Sequence, residues 1–253
     1  MPATVAQILQ LVDGIAPFEL AESWDNVGLL AGRSDAEVQR VLCALDLSME
    51  VLNEAIHRDA QLVVTHHPIL FRGRKNLCET DGEGRLLCAL VRSGIAMIAA
   101  HTNFDNAHPG VNDALAARLG LSDVKTLDSG MRMGTIEKTN FGMFARHAEA
   151  ILGGPVRRYG DLGRKVCRVA VLGGAGEDYA HIAMDAGAEV YLTGEMAYHK
   201  ALDAVDNGLC VLEAGQAATE RPAIEALKSG LQIASDALQY GICVMQSEVE
   251  LFL

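Results

Sequence analysis

Three short segments of this 253-residue chain carry side chains that commonly bind metal ions. Each segment directly follows an apolar, strand-like run. The candidate ligands are His66 and His67 in the first segment, His101 and Asp105 in the second, and Gln216 and Glu220 in the third. Imidazole nitrogen together with carboxylate oxygen is a usual ligand mixture for Zn, Fe, Mn, Co or Ni. Ligands gather at the carboxyl ends of parallel strands, so the three groups converge if their strands share one sheet.

The number of candidate ligands, roughly five to six, exceeds what one tetrahedral metal uses and suits two metals that share a bridging carboxylate. Adjacent histidines in an extended strand point to opposite faces. At a strand end that runs into Pro68, however, the backbone can turn and bring His66 and His67 to one cleft. Structural roles stay open as alternatives: one histidine capping a carbonyl, and Glu220 as an ordinary acid in the first turn of a helix. The functional interpretation of the same residues is a hydrolytic metal centre.

Two further segments could bind an anion. Arg72, Arg74 and Lys75 form the densest basic patch of the chain just after the histidine pair, and they could hold a substrate phosphate or form a solvated loop. The glycine-rich turn Gly173–Gly176 lies between a predicted strand and a predicted helix, which resembles an anion-binding turn. It lacks the GK[ST] ending of a P-loop and the full GxGxxG spacing, so a plain tight turn is the alternative.

Short apolar runs alternate with helical periodicity, which indicates an α/β fold with mainly parallel sheets covered on both faces. The predicted strands are Val41–Leu45, Leu62–Thr65, Ile95–Ala100, Val169–Leu172, Val190–Thr193, Cys210–Glu213 and Ile242–Gln246. The predicted helices are Ala3–Val12, Met49–His57, Leu86–Val91, Asn112–Arg118, Phe144–Ile151, Asp178–Met184, Tyr198–Val205 and Arg221–Ser229. The stretch Asp123–Thr139 has no clear period and is interpreted as a junction between two units.

The two halves of the chain resemble each other. AIHRDAQLVVTHH, ending at His67, aligns with AMDAGAEVYLTGE, and Thr65 falls on Thr193. The next segments also match, so that His101 falls on Gln216 and the acid four residues later falls on Glu220. Any two parallel-strand units share apolar runs, which is the alternative explanation. Duplication would give two units, residues 1–125 and 126–253, with the C-terminal segment packing back on the first.

Composition narrows the class of protein. Hydrophobic residues make up 50% and charged residues 21%, which excludes a disordered chain. The formal net charge of −12 argues against nucleic acid as a partner. No run approaches the ~18 apolar residues that span a bilayer, and the N-terminal segment has the pattern of an amphipathic helix rather than a signal peptide. Six scattered cysteines without a CxxC motif favour a reducing, cytoplasmic location.

The motifs together resemble the Nif-three-like dinuclear metal-centre family, whose bacterial members are known as GTP cyclohydrolase I type 2 homologues. The resemblance extends over almost the whole chain. It rests on AESWDNVGLLAG, VVTHHPILF, AAHTNFDNAHPGVNDALA, YLTGEMAYH and AGQAATERP, in this order. It implies two similar intertwined three-layer α/β/α units and a homohexamer. For activity it implies a metal-dependent hydrolase that acts on a nucleotide or another phosphorylated small molecule. A non-catalytic metal-binding scaffold or regulatory protein is the alternative.

The resemblance also implies up to two divalent metal ions per chain. Carried over by position, their ligands are His66, His67, His101, Asp105 and Glu220, with Glu220 as the bridge. The chain departs from the family pattern at Gln216, where a histidine is expected. A glutamine offers only a neutral carbonyl oxygen, which is a poorer ligand for most transition metals than imidazole. The second metal position is therefore expected to be the weaker one.

Overall fold

A computed structural model describes residues 2–249 of the chain. Contacts within the chain divide these residues into two compact units, one formed by residues 2–107 and 224–249 and the other by residues 108–223. The sequence pattern predicted a boundary after residue 125. The structural boundary falls earlier because helix Val111–Arg118 packs on strand Lys165–Ala175 of the second unit.

Thirteen strands and nine α-helices are formed by the described residues. The strands are β1 Ala3–Thr4, β2 Gly28–Ala31, β3 Glu37–Val38, β4 Arg40–Ala44, β5 Leu62–Thr65, β6 Ala96–Ala99, β7 Ser122–Thr126, β8 Arg132–Asn140, β9 Arg157–Tyr159, β10 Lys165–Ala175, β11 Val190–Glu195, β12 Cys210–Glu213 and β13 Cys243–Gln246. The helices are α1 Val5–Ile15, α2 Met49–His57, α3 Gly82–Ser93, α4 Thr102–Asn106, α5 Val111–Arg118, α6 Phe141–Leu152, α7 Ala180–Asp185, α8 Tyr198–Asp206 and α9 Gln216–Ala237.

The first unit is built on a five-stranded sheet in the order β13-β4-β5-β6-β2. Strands β13, β4, β5 and β6 run parallel, and β2 runs antiparallel to β6 at the edge. Every residue of β5 and β6 is buried, as expected for parallel strands covered on both faces. The carboxyl ends of β4, β5 and β6 therefore lie at one edge of the sheet.

The second unit has a six-stranded sheet in the order β7-β8-β10-β11-β12-β9. Strands β10, β11 and β12 run parallel, and the other three pair antiparallel. Its core contains Val169, Val171, Val190 and Leu192, which are all fully buried. The interpretation of Asp123–Thr139 as a junction is wrong, because β7 and most of β8 occupy this stretch and belong to the sheet.

Equivalent hydrogen bonds in the two units show the same local construction. In the first unit Ala60 N donates to Ala55 O (2.8 Å), and in the second Ala188 N donates to Ala183 O (2.9 Å). Likewise Ala96 N donates to Gln61 O in the first unit and Cys210 N to Glu189 O in the second, at 2.9 and 3.0 Å. In each unit the first bond closes the tight turn after a helix, and the second joins the starts of two parallel strands. The internal duplication predicted from the sequence is consistent with this match.

The predicted elements are present with adjusted ends. Each of the seven predicted strands and each of the eight predicted helices overlaps an observed element of the same type. Helix α9 exceeds its predicted length by more than any other element. It begins at Gln216 rather than Arg221 and continues to Ala237, with Pro222 near its start. Among the helices of residues 2–249, none has the length and apolar character needed to cross a membrane.

Candidate metal centre

Three histidines lie together at the carboxyl edge of the first sheet. His66 and His67 follow β5, and His101 follows β6 and precedes α4. One ring nitrogen from each lies within 4.8 Å of one from each of the others. The ring centroids are 4.9 Å apart for His66 and His67, and 5.1 and 5.6 Å from these two to His101. The adjacent histidines thus reach one cluster, as the turn into Pro68 predicts.

Hydrogen bonds at the end of β5 produce this turn. The Thr65 hydroxyl donates to the carbonyl of His67 at 2.7 Å. The backbone N–H of His67 donates to Leu45 O at 3.0 Å, which ties the turn to the end of the neighbouring strand β4. The backbone of the histidine pair is therefore fixed on both sides.

Each of the three histidines has its Nδ1 atom held by an oxygen acceptor. The acceptors are Ala100 O for His66 (2.8 Å), Asp46 Oδ1 for His67 (2.8 Å) and Asp25 Oδ1 for His101 (2.9 Å). A carbonyl or carboxylate oxygen can only accept, so Nδ1 carries the proton and the Nε2 lone pair remains available as a ligand. Metal-binding histidines usually have such a partner behind them. The residues present therefore fit a metal ion.

Asp25 is the most constrained of these acceptors. Its Oδ2 accepts from the backbone N–H of Thr102 at 3.0 Å and from the Thr102 hydroxyl at 2.5 Å. Burial alone would raise the pKa of Asp25, but the hydrogen bonds from Thr102 and His101 outweigh it and hold the pKa below its ordinary range. Asp25 therefore remains ionised and fixes the orientation of the His101 ring.

Asp105 lies beside the histidine cluster. The first turn of α4 starts at His101, whose carbonyl accepts from the N–H of Asp105 at 3.0 Å. This turn places Asp105 Oδ1 3.7 Å from His66 Nε2. The structure therefore brings four of the predicted site residues together in the first unit: His66, His67, His101 and Asp105.

Gln216 and Glu220 lie in the second unit, after β12, whose sheet differs from that of the histidines. Gln216 Nε2 is 3.5 Å from Glu220 Oε1, so the two side chains lie along one face of the first turn of α9. The Glu220 side chain is almost wholly buried. The role of these two residues as metal ligands stays a prediction.

Close packing around Glu220 depends on Gly174. A Cβ atom at this position would lie 2.4 Å from Glu220 Oε1, and the backbone φ is +72°. The N–H groups of the glycine-rich turn are used internally: Gly173 donates to Asn112 Oδ1 at 2.8 Å and Gly174 to Thr219 Oγ1 at 3.1 Å. Gly173, Gly174 and Ala175 are the last residues of β10, so the predicted turn is for the most part the end of a strand. Two of the N–H groups that an anion would need are already engaged.

The three basic residues predicted to bind phosphate differ in their contacts. Arg74 forms ion pairs with Asp81 at 2.7 Å and with Glu83 at 2.5 Å, so its guanidinium is engaged by two acids at the start of α3. Arg72 and Lys75 are exposed, and neither forms an ion pair within the described part of the chain. Arg72 and Lys75 are therefore the stronger candidates for phosphate binding.

Sequence reasoning missed four residues around the histidines. Asp46 follows β4 at the same sheet edge, and this position was a usable signal. Asp25 lies in a loop without periodicity, so only the tertiary structure reveals its contact with His101. The aromatic rings of Trp24 and Phe71 also lie beside His101, at centroid distances of 6.3 and 6.2 Å.

Comparisons with known proteins identify the family and the fold of the chain. The family model Duf34/NIF3 (NGG1p interacting factor 3) matches residues 3–250. A Streptomyces coelicolor protein named GTP cyclohydrolase 1 type 2 homolog is 36% identical, over 92% of this chain and 87% of that protein. A Clostridium perfringens protein of the same name is 33% identical, over 86% of this chain and 87% of that protein. The crystal structure of a Staphylococcus aureus hypothetical protein superimposes with a TM-score of 0.95 at 30% identity, over 100% of this chain and 99% of that one. The chain therefore belongs to the Duf34/NIF3 family.

Proposed function

We propose that this protein is a metal-dependent hydrolase that acts on a nucleotide or another phosphorylated small molecule. The observation that carries the proposal is the group His66, His67 and His101, whose Nδ1 atoms are all engaged and whose Nε2 atoms can bind a metal. Divalent ions in such sites activate water near neutral pH. The relatives' name, GTP cyclohydrolase 1 type 2 homolog, agrees with hydrolysis of a nucleotide.

The proposed ligands are His66, His67, His101, Asp105 and Glu220, for up to two divalent ions with Glu220 as the bridge. The 3.7 Å approach of Asp105 to His66 supports a mixed imidazole–carboxylate site. In this proposal the protein holds the imidazole rings of the three histidines in place for the metal, and it presents Arg72 and Lys75 to a phosphate of the substrate.

The second candidate function is a non-catalytic metal-binding scaffold or regulatory protein. Gln216 favours it, because the chain lacks an imidazole where the family pattern has one. A metal-free preparation, assayed against a panel of phosphorylated substrates and then reloaded with Zn, Fe, Mn, Co or Ni, distinguishes the two. Hydrolysis that returns with metal supports the enzyme; metal uptake without turnover of any substrate supports the scaffold.

The ligand assignment is tested by the double variant His67→Ala/Asp105→Ala. It removes two proposed ligands, so we expect the purified protein to lose its divalent metal in elemental analysis. The matched control is His199→Ala/Asp203→Ala, which removes the same residue types, four residues apart, from the exposed face of α8. Unchanged metal content in a folded His67→Ala/Asp105→Ala protein would overturn the assignment.

A further inference from the structure

Two large aromatic side chains are exposed next to the histidine cluster. Trp24 is 59% exposed and Phe71 is 46% exposed. Their rings contact each other edge to face, with centroids 5.8 Å apart, and each lies edge to face against the His101 ring. A tryptophan in this environment leaves much of its apolar ring in water, which is unfavourable unless something covers it.

The loops that carry the two rings are held by polar contacts of neighbouring residues. Trp24 directly precedes Asp25, which binds His101 and Thr102. The Asn26 side chain donates to Leu70 O at 2.6 Å and thereby links the loop of Trp24 to the loop of Phe71. The exposed rings are thus part of a pre-formed surface rather than side chains on a loose loop.

The chemistry of this surface matches a planar ring that carries a phosphate. Aromatic side chains bind nucleobases and similar heterocycles by stacking, which tolerates different ring substituents. Arg72 follows Phe71 immediately and is exposed, so a cation lies next in the chain to the aromatic pair. Two side chains expose too little area for a stable contact between proteins, which buries about 1,200–2,000 Å².

We propose that Trp24 and Phe71 form a stacking subsite for the heteroaromatic ring of the substrate, a purine or a ring of similar size and polarity. The subsite holds this ring beside His101 and so directs the substrate to the proposed metal centre. The proposal rests on the proposed function only for the choice of substrate class, since the ring contacts themselves require no metal.

The protein contains one tryptophan, so its indole fluorescence reports on Trp24 alone. We expect guanosine monophosphate to quench this fluorescence saturably, in both the metal-free and the metal-loaded full-length protein. Ribose 5-phosphate carries the same phosphate and sugar without the ring, and we expect it to leave the spectrum unchanged. Phe71→Leu should raise the Kd for guanosine monophosphate about tenfold, in the range of losses from removing a stacking partner.

Calorimetry extends the test to Trp24→Leu, which removes the fluorophore, and we expect a similar loss of affinity. The matched control is Tyr198→Leu, because Tyr198 is 61% exposed and also lies edge to face against a histidine, His199, in the second unit. We expect this variant to bind guanosine monophosphate like the unaltered protein.

Three results would overturn the subsite: no saturable quenching by guanosine or adenosine monophosphate, equal quenching by ribose 5-phosphate, or unchanged affinity in both folded Trp24→Leu and Phe71→Leu. A lower molecular mass of Trp24→Leu in light scattering, without an effect on ligand binding, would assign the aromatic pair to contact between copies and also overturn it. Binding without hydrolysis would leave the subsite intact and contradict only the proposed activity.

Discussion

Asp25 controls the orientation of His101 through its two oxygens. One oxygen accepts from His101 Nδ1, and the other accepts from both the backbone N–H and the hydroxyl of Thr102. Asp25→Asn keeps the size of the side chain but places an NH₂ group against one of these donors. Loss of such a supporting acceptor typically weakens metal binding about 10–100-fold. We expect that loss in a competition titration against a chelator.

Asp35→Asn is the control for the Asp25 experiment. Asp35 is an exposed carboxylate of the same unit, and its partner is Arg33 on the surface. The same change of charge there should leave metal affinity unaltered. If folded Asp25→Asn retained the affinity of the unaltered protein, the hydrogen bond to His101 would have no role in metal binding.

The resemblance of the sequence to the family implies a histidine at the position of Gln216. Its amide lies 3.5 Å from Glu220, so the two side chains are placed to serve one site. An imidazole is a stronger ligand than an amide oxygen for most transition metals. We therefore expect Gln216→His to raise the metal content per chain towards two and to increase any hydrolytic rate. Two equally tight metals per chain in the unaltered protein, measured by calorimetry, would refute this argument.

The secondary-structure elements show why parts of the site were predictable. Strands β5 and β12 are continuous apolar runs, and the polar residues after them stand out in the sequence. Strand β7 was missed because all five of its residues are exposed and it lacks an apolar pattern. The carboxylate Asp25 was missed for a different reason: its contact with His101 is decided by loop packing, and spacing along the chain does not reveal it. Asp46 could have been proposed from its place after β4, although its pairing with His67 could not.

Glycine at position 174 lets the end of β10 approach the first turn of α9. Gly174→Ala adds a methyl group 2.4 Å from Glu220 Oε1 in a backbone with φ of +72°. Positive φ alone costs about 1–2 kcal/mol for alanine, and overpacking of this kind adds about 1–3 kcal/mol. We expect a correspondingly lower free energy of unfolding in denaturant titrations, together with weaker metal retention if Glu220 is a ligand.

Gly187→Ala separates the two effects. Gly187 has a φ of +80°, and a Cβ atom there would meet no atom within 4 Å. This variant therefore carries the backbone strain without the collision, and we expect it to keep its metal. Equal losses of stability in the two variants would show that the contact between Gly174 and Glu220 has no energetic consequence.

At the scale of the whole molecule, a repeated construction has diverged in its ligands. The helix–turn–strand hydrogen bonds are the same in the two units, yet His66 and His67 in one correspond to Gly194 and Glu195 in the other. Hydrogen bonds of the backbone tolerate such changes because they do not depend on the side chains at the strand ends. The shared scaffold explains why the sequence halves could be aligned although only one of them carries the three histidines.

Assembly is the last property that we expect of the whole molecule. Exposed apolar side chains in the described residues include Val91, Ile233 and Leu238, and burying such groups between copies would favour association. The net charge of −12 per chain opposes association, and salt screens this repulsion. The number of six copies is what the family resemblance implies, so we expect light scattering at micromolar concentration and moderate salt to give about six times the chain mass of 27.0 kDa. At low salt we expect a smaller average mass, because the repulsion between copies is less screened. A mass of one chain under both conditions would contradict the hexamer.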